Sequence, residues 1–216
     1  MNPEATSTAI PDFAGWYASP ASREGSLEAS MQRVCDTLVA LGFPIVRVQV
    51  LILTQHPEVS STVYTWHKQR GVTLQSYGHD VERSDAYRGS TIEAVQTLGK
   101  RIRVRLDDPH DRQRFQHLDA LAEQGRTDYI AEPLRFSDGR ISVATWTTDA
   151  PEGFTAEAER LLDTVSPTLA IRAEVRSTQH AMESLLTTYL GPNAAARVLR
   201  GEFRRGTGTT LPAAIW

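Results

Sequence analysis

The run IVRVQVLIL at residues 45–53 is the sequence feature that most constrains the fold. It is rich in β-branched residues, which favour a pleated, half-buried surface. An almost continuous apolar run of this length predicts a central strand with both faces largely covered. The chain has 216 residues, of which 40% are apolar, so it is long enough to build one core around such a strand.

The segments after this run predict further strands of an antiparallel sheet. Residues 62–68 form the return strand, and residues 101–106 alternate strictly between polar and apolar side chains. Residues 128–136 and 140–147 flank Asp138-Gly139, a dipeptide typical of a hairpin turn.

Helical spacing of apolar residues predicts a helix over residues 26–41 and a short amphipathic helix within residues 113–124. A long helix begins at Thr155, a predicted N-cap. Strands joined by hairpins with helices at both ends predict an α+β fold, an antiparallel sheet backed by N- and C-terminal helices.

The long C-terminal helix carries apolar residues at spacings that approximate a heptad seam. They are Leu162, Val165, Leu169, Val175, Met182, Leu186 and Tyr189. Arg172, Arg176 and Gln179 interrupt the middle of this seam, and Pro167 predicts a kink. A small domain cannot cover a helix of this length alone, so we expect a parallel homodimer with a coiled coil through it.

Composition divides the chain into four regions. Residues 1–22, with three prolines, predict a flexible N-terminal arm, and residues 23–154 the folded domain. Residues 155–190 form the dimerisation helix, which Gly191 and Pro192 end. Residues 191–216 carry four arginines and one glutamate and predict a separate basic linker and strand.

Charge and cysteine content exclude several classes of function. The net charge of −3 gives no basic field for nucleic acid, and no apolar stretch reaches the length of a membrane span. The N-terminus lacks the pattern of a secretory signal, so we expect a cytoplasmic protein. The single cysteine, Cys35, lies in an apolar helical stripe and is predicted to be buried.

No catalytic or metal-binding motif occurs in the sequence, but a ligand pocket is expected. Residues 69–98 form a long, polar stretch that is expected to be irregular and to cover one side of the sheet, with the helix within residues 113–124 as a further wall. The candidate ligand-binding residues are Tyr64, Trp66, Tyr87 and Arg103. Arg101, Arg103 and Arg105 share one strand face, which indicates either a covered or solvated surface or an anion-binding wall. His56, before Pro57, is expected to cap a turn.

The C-terminal sequence YLGPNAAARVLRGEFRRGTGTTLPAAIW, residues 189–216, closely resembles the entry into the catalytic domain of bacterial class III adenylyl cyclases. The preceding sequence resembles the GAF-like input domain found before such catalytic domains in one soluble bacterial group. The pieces that carry this second resemblance are Gly42-Phe43-Pro44, Gln55-His56-Pro57, Trp66, the segment TDYIAEPL at 127–134, the segment FSDGR at 136–140, and Gly153-Phe154. Together the two resemblances span roughly residues 13–216.

This resemblance implies the regulatory sensor and dimerisation domain of a class III adenylate cyclase. The parent enzyme would convert ATP to cAMP and diphosphate with Mg or Mn. The chain stops at Trp216, before the carboxylates that two-metal chemistry requires, so we expect it to be non-catalytic.

The ligand of this input domain and its cofactor, if it has one, are unknown from the sequence. The resemblance implies a small molecule in the GAF-like pocket, and a ligand-free structural dimerisation module of the same fold is the alternative. Methionine-sulfoxide reductases of this fold use several cysteines, and covalent bilin attachment requires a cysteine near the pocket. Cys35 alone, on a helix stripe, argues against both.

Overall fold

The computed structural model describes residues 26–202, which form a six-stranded antiparallel sheet with helices on both faces. The strand order is β3-β2-β1-β6-β5-β4, so β1 and β6 lie at the centre, as predicted for residues 45–53. The strands are β1 (Arg47–Leu53), β2 (Ser61–His67), β3 (Gly71–Tyr77), β4 (Ile102–Arg105), β5 (Asp128–Arg135) and β6 (Ile141–Thr148).

In the described part of the chain, five helices accompany the sheet, with two 3₁₀ turns at Val81–Arg83 and Gln116–Leu118. The helices are α1 (Leu27–Ala40), α2 (Thr91–Leu98), α3 (Pro109–Arg112), α4 (Asp119–Glu123) and α5 (Ala156–Leu199). The predicted N-caps of the two long helices are confirmed, since Ser26 and Thr155 accept hydrogen bonds from backbone N–H groups in the first turns of α1 and α5.

Strand alternation sends side chains to two separate cores. Even-numbered residues of β1, β2, β5 and β6, such as Val50 and Trp146, pack against α1 and the first half of α5. Odd-numbered residues of β5 and β6, such as Tyr129 and Val143, pack with α2 and the segment around α4 on the opposite face. We call these the α5 face and the α2 face of the sheet.

Helix α5 extends far beyond the sheet that its first half covers. Leu162 and Leu169 are buried in the core of the α5 face, and the last residue of that core is Ala173. The backbone dihedrals stay helical at Pro167, so the helix continues through this proline without a break. The only non-helical dihedrals inside α5 are at Gly191 (φ 76°, ψ 162°), where the break was expected, but a further helical stretch follows to Leu199.

Segment 69–98 is more ordered than its composition predicts. It contains β3 and α2, so the prediction of a wholly irregular stretch is wrong. The signal was weak because β3 pairs only with β2 and leaves most of its side chains exposed. The predicted arm 1–22 lies outside the described residues, as does the end of the predicted linker, 203–216.

No helix within residues 26–202 is both long and apolar enough to cross a bilayer. Cys35 is fully buried in α1, as predicted, and burial raises the pKa of its thiol well above the ordinary value.

The packing of α5 on the sheet gives a testable difference between two leucines. Leu162→Ala should lower the free energy of unfolding by about 3 kcal/mol, because the side chain is fully buried and leaves a cavity. Leu98→Ala, at a residue 62% exposed, should cost less than about 0.5 kcal/mol. Urea unfolding measures both, and equal losses would contradict this packing.

Candidate functional site

A cavity of about 190 Å³ lies on the α2 face of the sheet. Its floor is formed by odd-numbered residues of β1, β2 and β6, and its walls by the end of β3, the turns before α2, and α2 itself. The lining residues are Gln49, Leu51, Leu53, Ser60, Ser61, Val63, Tyr77, Val81, Glu82, Ala86, Tyr87, Ile92, Gln96, Val143 and Thr145. The site is concave and mostly apolar with a few polar groups, as ligand sites commonly are.

The floor of the cavity leaves apolar side chains of a central strand open to solvent. Leu51 and Leu53 are only half-buried, whereas their neighbours Val50 and Ile52 on the α5 face are 0% and 2% exposed. Side chains of a central strand are normally covered on both faces in such a sheet. The unfilled space above Leu51 and Leu53 is therefore where a ligand would bury apolar area.

Hydrogen bonds hold the wall over the cavity in place. The Tyr87 hydroxyl donates to Gln96 Oε1 at 2.7 Å, and Gln96 Nε2 donates to the Ile141 carbonyl at 3.1 Å. Ser60 Oγ donates to the Gly78 carbonyl at 2.9 Å, which joins the end of β3 to the start of β2. Burial raises the pKa of Tyr87, and the nearby carboxylates of Glu93 and Glu82 raise it further.

The structure does not bring the four predicted site residues together. Tyr87, which belongs to segment 69–98, lines the cavity. Tyr64 and Trp66 are 5% and 1% exposed in the core of the α5 face, because even-numbered residues of β2 point away from the cavity. Arg103 also lies on the α5 face, and residues 113–124 supply no part of the cavity lining. Whether any of the four contacts a ligand stays a prediction.

Arg103 is held by carboxylates of this chain rather than facing an open anion site. Its guanidinium donates to Asp128 Oδ2 at 2.6 Å and to Glu159 Oε1 of α5 at 2.6 Å. The Asp128 side chain is 0% exposed and also accepts the Phe154 backbone N–H at 2.9 Å. Gly153, the residue directly before Phe154, has a φ of +73°, and a Cβ at this position would overlap the Asp128 carboxylate.

Arg101 makes an equivalent clamp one turn along α5. It donates to buried Glu132 at 2.6 Å and to Asp163 of α5 at 2.6 Å. Glu132 also accepts from the Trp146 indole N–H at 2.6 Å and from the Ser166 hydroxyl. Arg101, just before β4, and Arg103 within it therefore fasten α5 to the sheet, while Arg105 pairs with Asp107. The alternative of an anion-binding wall is wrong because carboxylates of this chain already pair with all three arginines.

The far end of the docked part of α5 is joined to the cavity floor. The Leu53 carbonyl accepts from Ser177 Oγ of α5 and from Arg140, both at 2.9 Å, while the Leu53 side chain lines the cavity. Ser177 is 2% exposed, so this bond is shielded from water. A displacement of Leu53 by a ligand would therefore act directly on α5.

Sequence reasoning missed most of the cavity lining. Gln49, Leu51 and Leu53 share one parity on β1, and this alternation was the available signal. It could not be used without knowing which face of the central strand was left uncovered. His56 behaves as expected, since its Nδ1 accepts the Glu58 backbone N–H at 3.0 Å and caps the turn after β1.

No protein-family model matches the sequence, and no curated protein matches it. Similar solved structures do exist. The GAF domain of a phosphoenolpyruvate-protein phosphotransferase from Coxiella burnetii is 14% identical with a TM-score of 0.58, and the match covers 84% of this chain and 99% of that one.

Two further similar structures hold a ligand. The phycocyanobilin-bound GAF domain of a cyanobacterial phytochrome is 11% identical, with a TM-score of 0.51, over 83% of this chain and 98% of that one. Free methionine-R-sulfoxide reductase from Neisseria meningitidis, in complex with its substrate, is 17% identical with a TM-score of 0.51. That match covers 83% of this chain and 95% of the reductase chain. These likenesses show that residues 26–202 have the fold of a GAF domain.

The clamp between β4 and α5 predicts unequal effects of two arginine substitutions. Arg103→Met should lower the free energy of unfolding by about 3 kcal/mol, because it leaves the buried Asp128 carboxylate without its cation. Arg126→Met removes a more exposed ion pair with Asp149 and should cost less than about 1 kcal/mol. Chemical denaturation at low and moderate salt tests this, and a loss at Arg103 no larger than that at Arg126 would refute the clamp.

Proposed function

We propose that this chain is a ligand-sensing regulatory domain that dimerises through α5 and controls the catalytic domain of a class III adenylate cyclase. The observation that carries the proposal is the position of α5. One side of this helix is joined to the floor of the cavity through Ser177 and Leu53, and its other side presents exposed apolar residues. Such a helix connects a binding site to an interface.

The cavity supports sensing over the alternative of a ligand-free structural module. In a ligand-free module the space between the sheet and segment 69–98 would be filled by the chain's own side chains. Instead the side chains of residues 26–202 leave about 190 Å³ open above Leu51, Leu53 and Val63. A partly open, mostly apolar cavity of this kind is typical of small-molecule sites.

Residues 171–189 of α5 carry an apolar stripe that the rest of the described chain, residues 26–202, does not cover. We call it the α5 stripe, and its exposed large apolar residues are Ile171, Val175, Met182, Leu185 and Tyr189. Their spacings of four, seven, three and four residues are those of a coiled-coil seam. At 1.5 Å per residue the stripe runs for about 27 Å.

The α5 stripe differs from the seam that the sequence predicts. Leu162, Val165 and Leu169 are buried against this chain's own sheet, so the predicted seam is wrong in its first half. At 3.6 residues per turn, Ile171 and Val175 lie on the side of α5 opposite Leu169 and Ala173. Arg172 does not interrupt a helix-to-helix seam as predicted, because its guanidinium donates to Ser30 of α1 at 3.2 Å within the same chain.

A second copy of this chain is the occupant that best fits the α5 stripe. A heptad-spaced face is self-complementary when two identical helices meet in parallel, so no other partner is required. The stripe ends beside Gly191, where the helix breaks before the segment that resembles the cyclase entry. Two parallel helices would therefore deliver two catalytic domains to the same end of the dimer.

Two other functions of this fold have less support here. One similar structure is a bilin-bound domain and another is a methionine-R-sulfoxide reductase. Cys35 is 0% exposed in the core of the α5 face, on the side of the sheet away from the cavity. Its buried thiol has a raised pKa, which opposes nucleophilic chemistry and covalent attachment.

Dimerisation through the α5 stripe is tested by one charged substitution. Met182→Glu should weaken the dimer at least about tenfold, because two carboxylates would meet in an apolar seam. Thr187→Glu is the matched control, since Thr187 is exposed but lies on the other side of α5. Sedimentation equilibrium measures both dissociation constants. A wild-type chain that stays monomeric, or equal constants for the two variants, would contradict the proposal.

Regulation of a cyclase is tested by activity. The chain of residues 1–216 with ATP and Mn²⁺ should produce no cAMP above the blank, since no catalytic or metal-binding motif occurs in these residues. Joined to a class III catalytic domain, which works at a dimer interface, the same chain should support cAMP production. Met182→Glu should reduce that output several-fold and Thr187→Glu should not. Unchanged output in both would show that α5 does not assemble the enzyme.

A further inference from the structure

Among the residues that line the cavity and that the structure describes, within 26–202, there is one ionisable carboxylate and no basic side chain. Glu82 lies at its rim, while no Arg, Lys or His is among the residues that line it. An anionic ligand would lose its hydration there without gaining a positive partner, which is costly. The lining therefore disfavours phosphates and carboxylates and favours neutral or cationic molecules.

Glu82 differs in its ion pairing from three other acidic residues of the domain. Glu132 and Asp163 are joined to Arg101, and Asp128 is joined to Arg103. Glu82 forms no ion pair with any residue between 26 and 202. Its backbone is held in a 3₁₀ turn whose ends are tied by hydrogen bonds, so the fold places this residue at the rim, where its side chain is exposed.

Two aromatic rings accompany this carboxylate. Tyr77 at the end of β3 and Tyr87 before α2 both line the cavity and are half-buried. The face of a tyrosine ring attracts a cation within about 6 Å. A carboxylate beside aromatic rings is a combination that recognises an ammonium group, whereas the carboxylate repels an anion.

The size of the cavity limits the ligand to about one ring. At about 190 Å³ it is only slightly larger than an engineered apolar cavity of about 150 Å³ that binds benzene. Its apolar floor of Leu51, Leu53 and Val63 would cover the hydrocarbon part of such a molecule. A linear tetrapyrrole or a nucleotide exceeds this space.

We propose that the cavity binds a small protonated organic amine, with its ammonium group beside Glu82 and its single ring or short branched chain on the floor of β1 and β2. This inference rests on the proposed sensing function and adds the ligand class to it. It assigns Glu82 the role of the charged anchor and Tyr77 and Tyr87 the role of aromatic walls.

Three probes of matched shape test the ligand class on the full chain. Benzylamine, benzyl alcohol and benzoate carry the same ring with a positive, neutral and negative group at neutral pH. Dissociation constants are measured by amide chemical-shift titration, which also reports where each probe binds. We expect benzylamine to bind roughly three- to tenfold more tightly than benzyl alcohol, and benzoate to bind least.

Two variants with matched controls identify the anchor and the cavity. Glu82→Gln should remove most of the advantage of benzylamine over benzyl alcohol, and Glu183→Gln on exposed α5 should not, although it changes net charge equally. Val63→Phe should fill the cavity and abolish binding of every probe. Leu74→Phe, on exposed β3 facing the other side of the sheet, should leave binding unchanged.

The outcomes separate this inference from the sensing function. Benzoate binding as tightly as benzylamine, or a Glu82→Gln chain that keeps the full preference for benzylamine, would overturn the amine assignment and leave a ligand-binding cavity. Absence of binding by all three probes, or binding that survives in a folded Val63→Phe chain, would overturn the cavity as a binding site and the sensing function with it.

Discussion

The docking of the first half of α5 onto the sheet is the interaction on which the rest of the structure depends. Leu162, Val165 and Leu169 are buried there, and the clamps of Arg101 and Arg103 fix the rotation of the helix through buried Glu132 and Asp128. Burial of a charge is tolerated only where its partner is present, so these ion pairs allow the helix to pack on the sheet in only one rotation about its axis. That rotation determines which side of α5 faces away from the domain.

The same docking divides α5 into a part that packs on the core and a part that few hydrogen bonds hold to the domain. Up to Ala173 the helix rests on the core, while Ser177 is held mainly through the carbonyl of Leu53, whose side chain lines the cavity. The hairpin between β5 and β6 adds a second contact, since the Ser137 backbone N–H donates to Glu174 at 3.0 Å. A ligand that favours one position of Leu53 would shift the population of α5 arrangements without disturbing the core.

Much of the fold follows from the sequence because its determinants are local. Alternation and β-branched runs predict the strands, and Ser26 and Thr155 predict the helix starts. The cavity depends on which face of β1 is left uncovered, and β3 and α2 carry weak patterns, so local reasoning placed Tyr64 and Trp66 on the wrong side of the sheet. The pairing of Arg103 with buried Asp128 is likewise a long-range contact that residue spacing does not reveal.

The central claim is that the cavity and the exposed half of α5 are coupled through Leu53 and Ser177. Hydrogen exchange of α5, compared between the wild-type chain and Val63→Phe, tests this most directly because the substitution occupies the cavity permanently. The account predicts altered exchange in residues 174–190, no change in residues 158–170, and loss of the effect when Ser177→Ala is added. Identical exchange throughout α5 with the cavity filled and empty would contradict it.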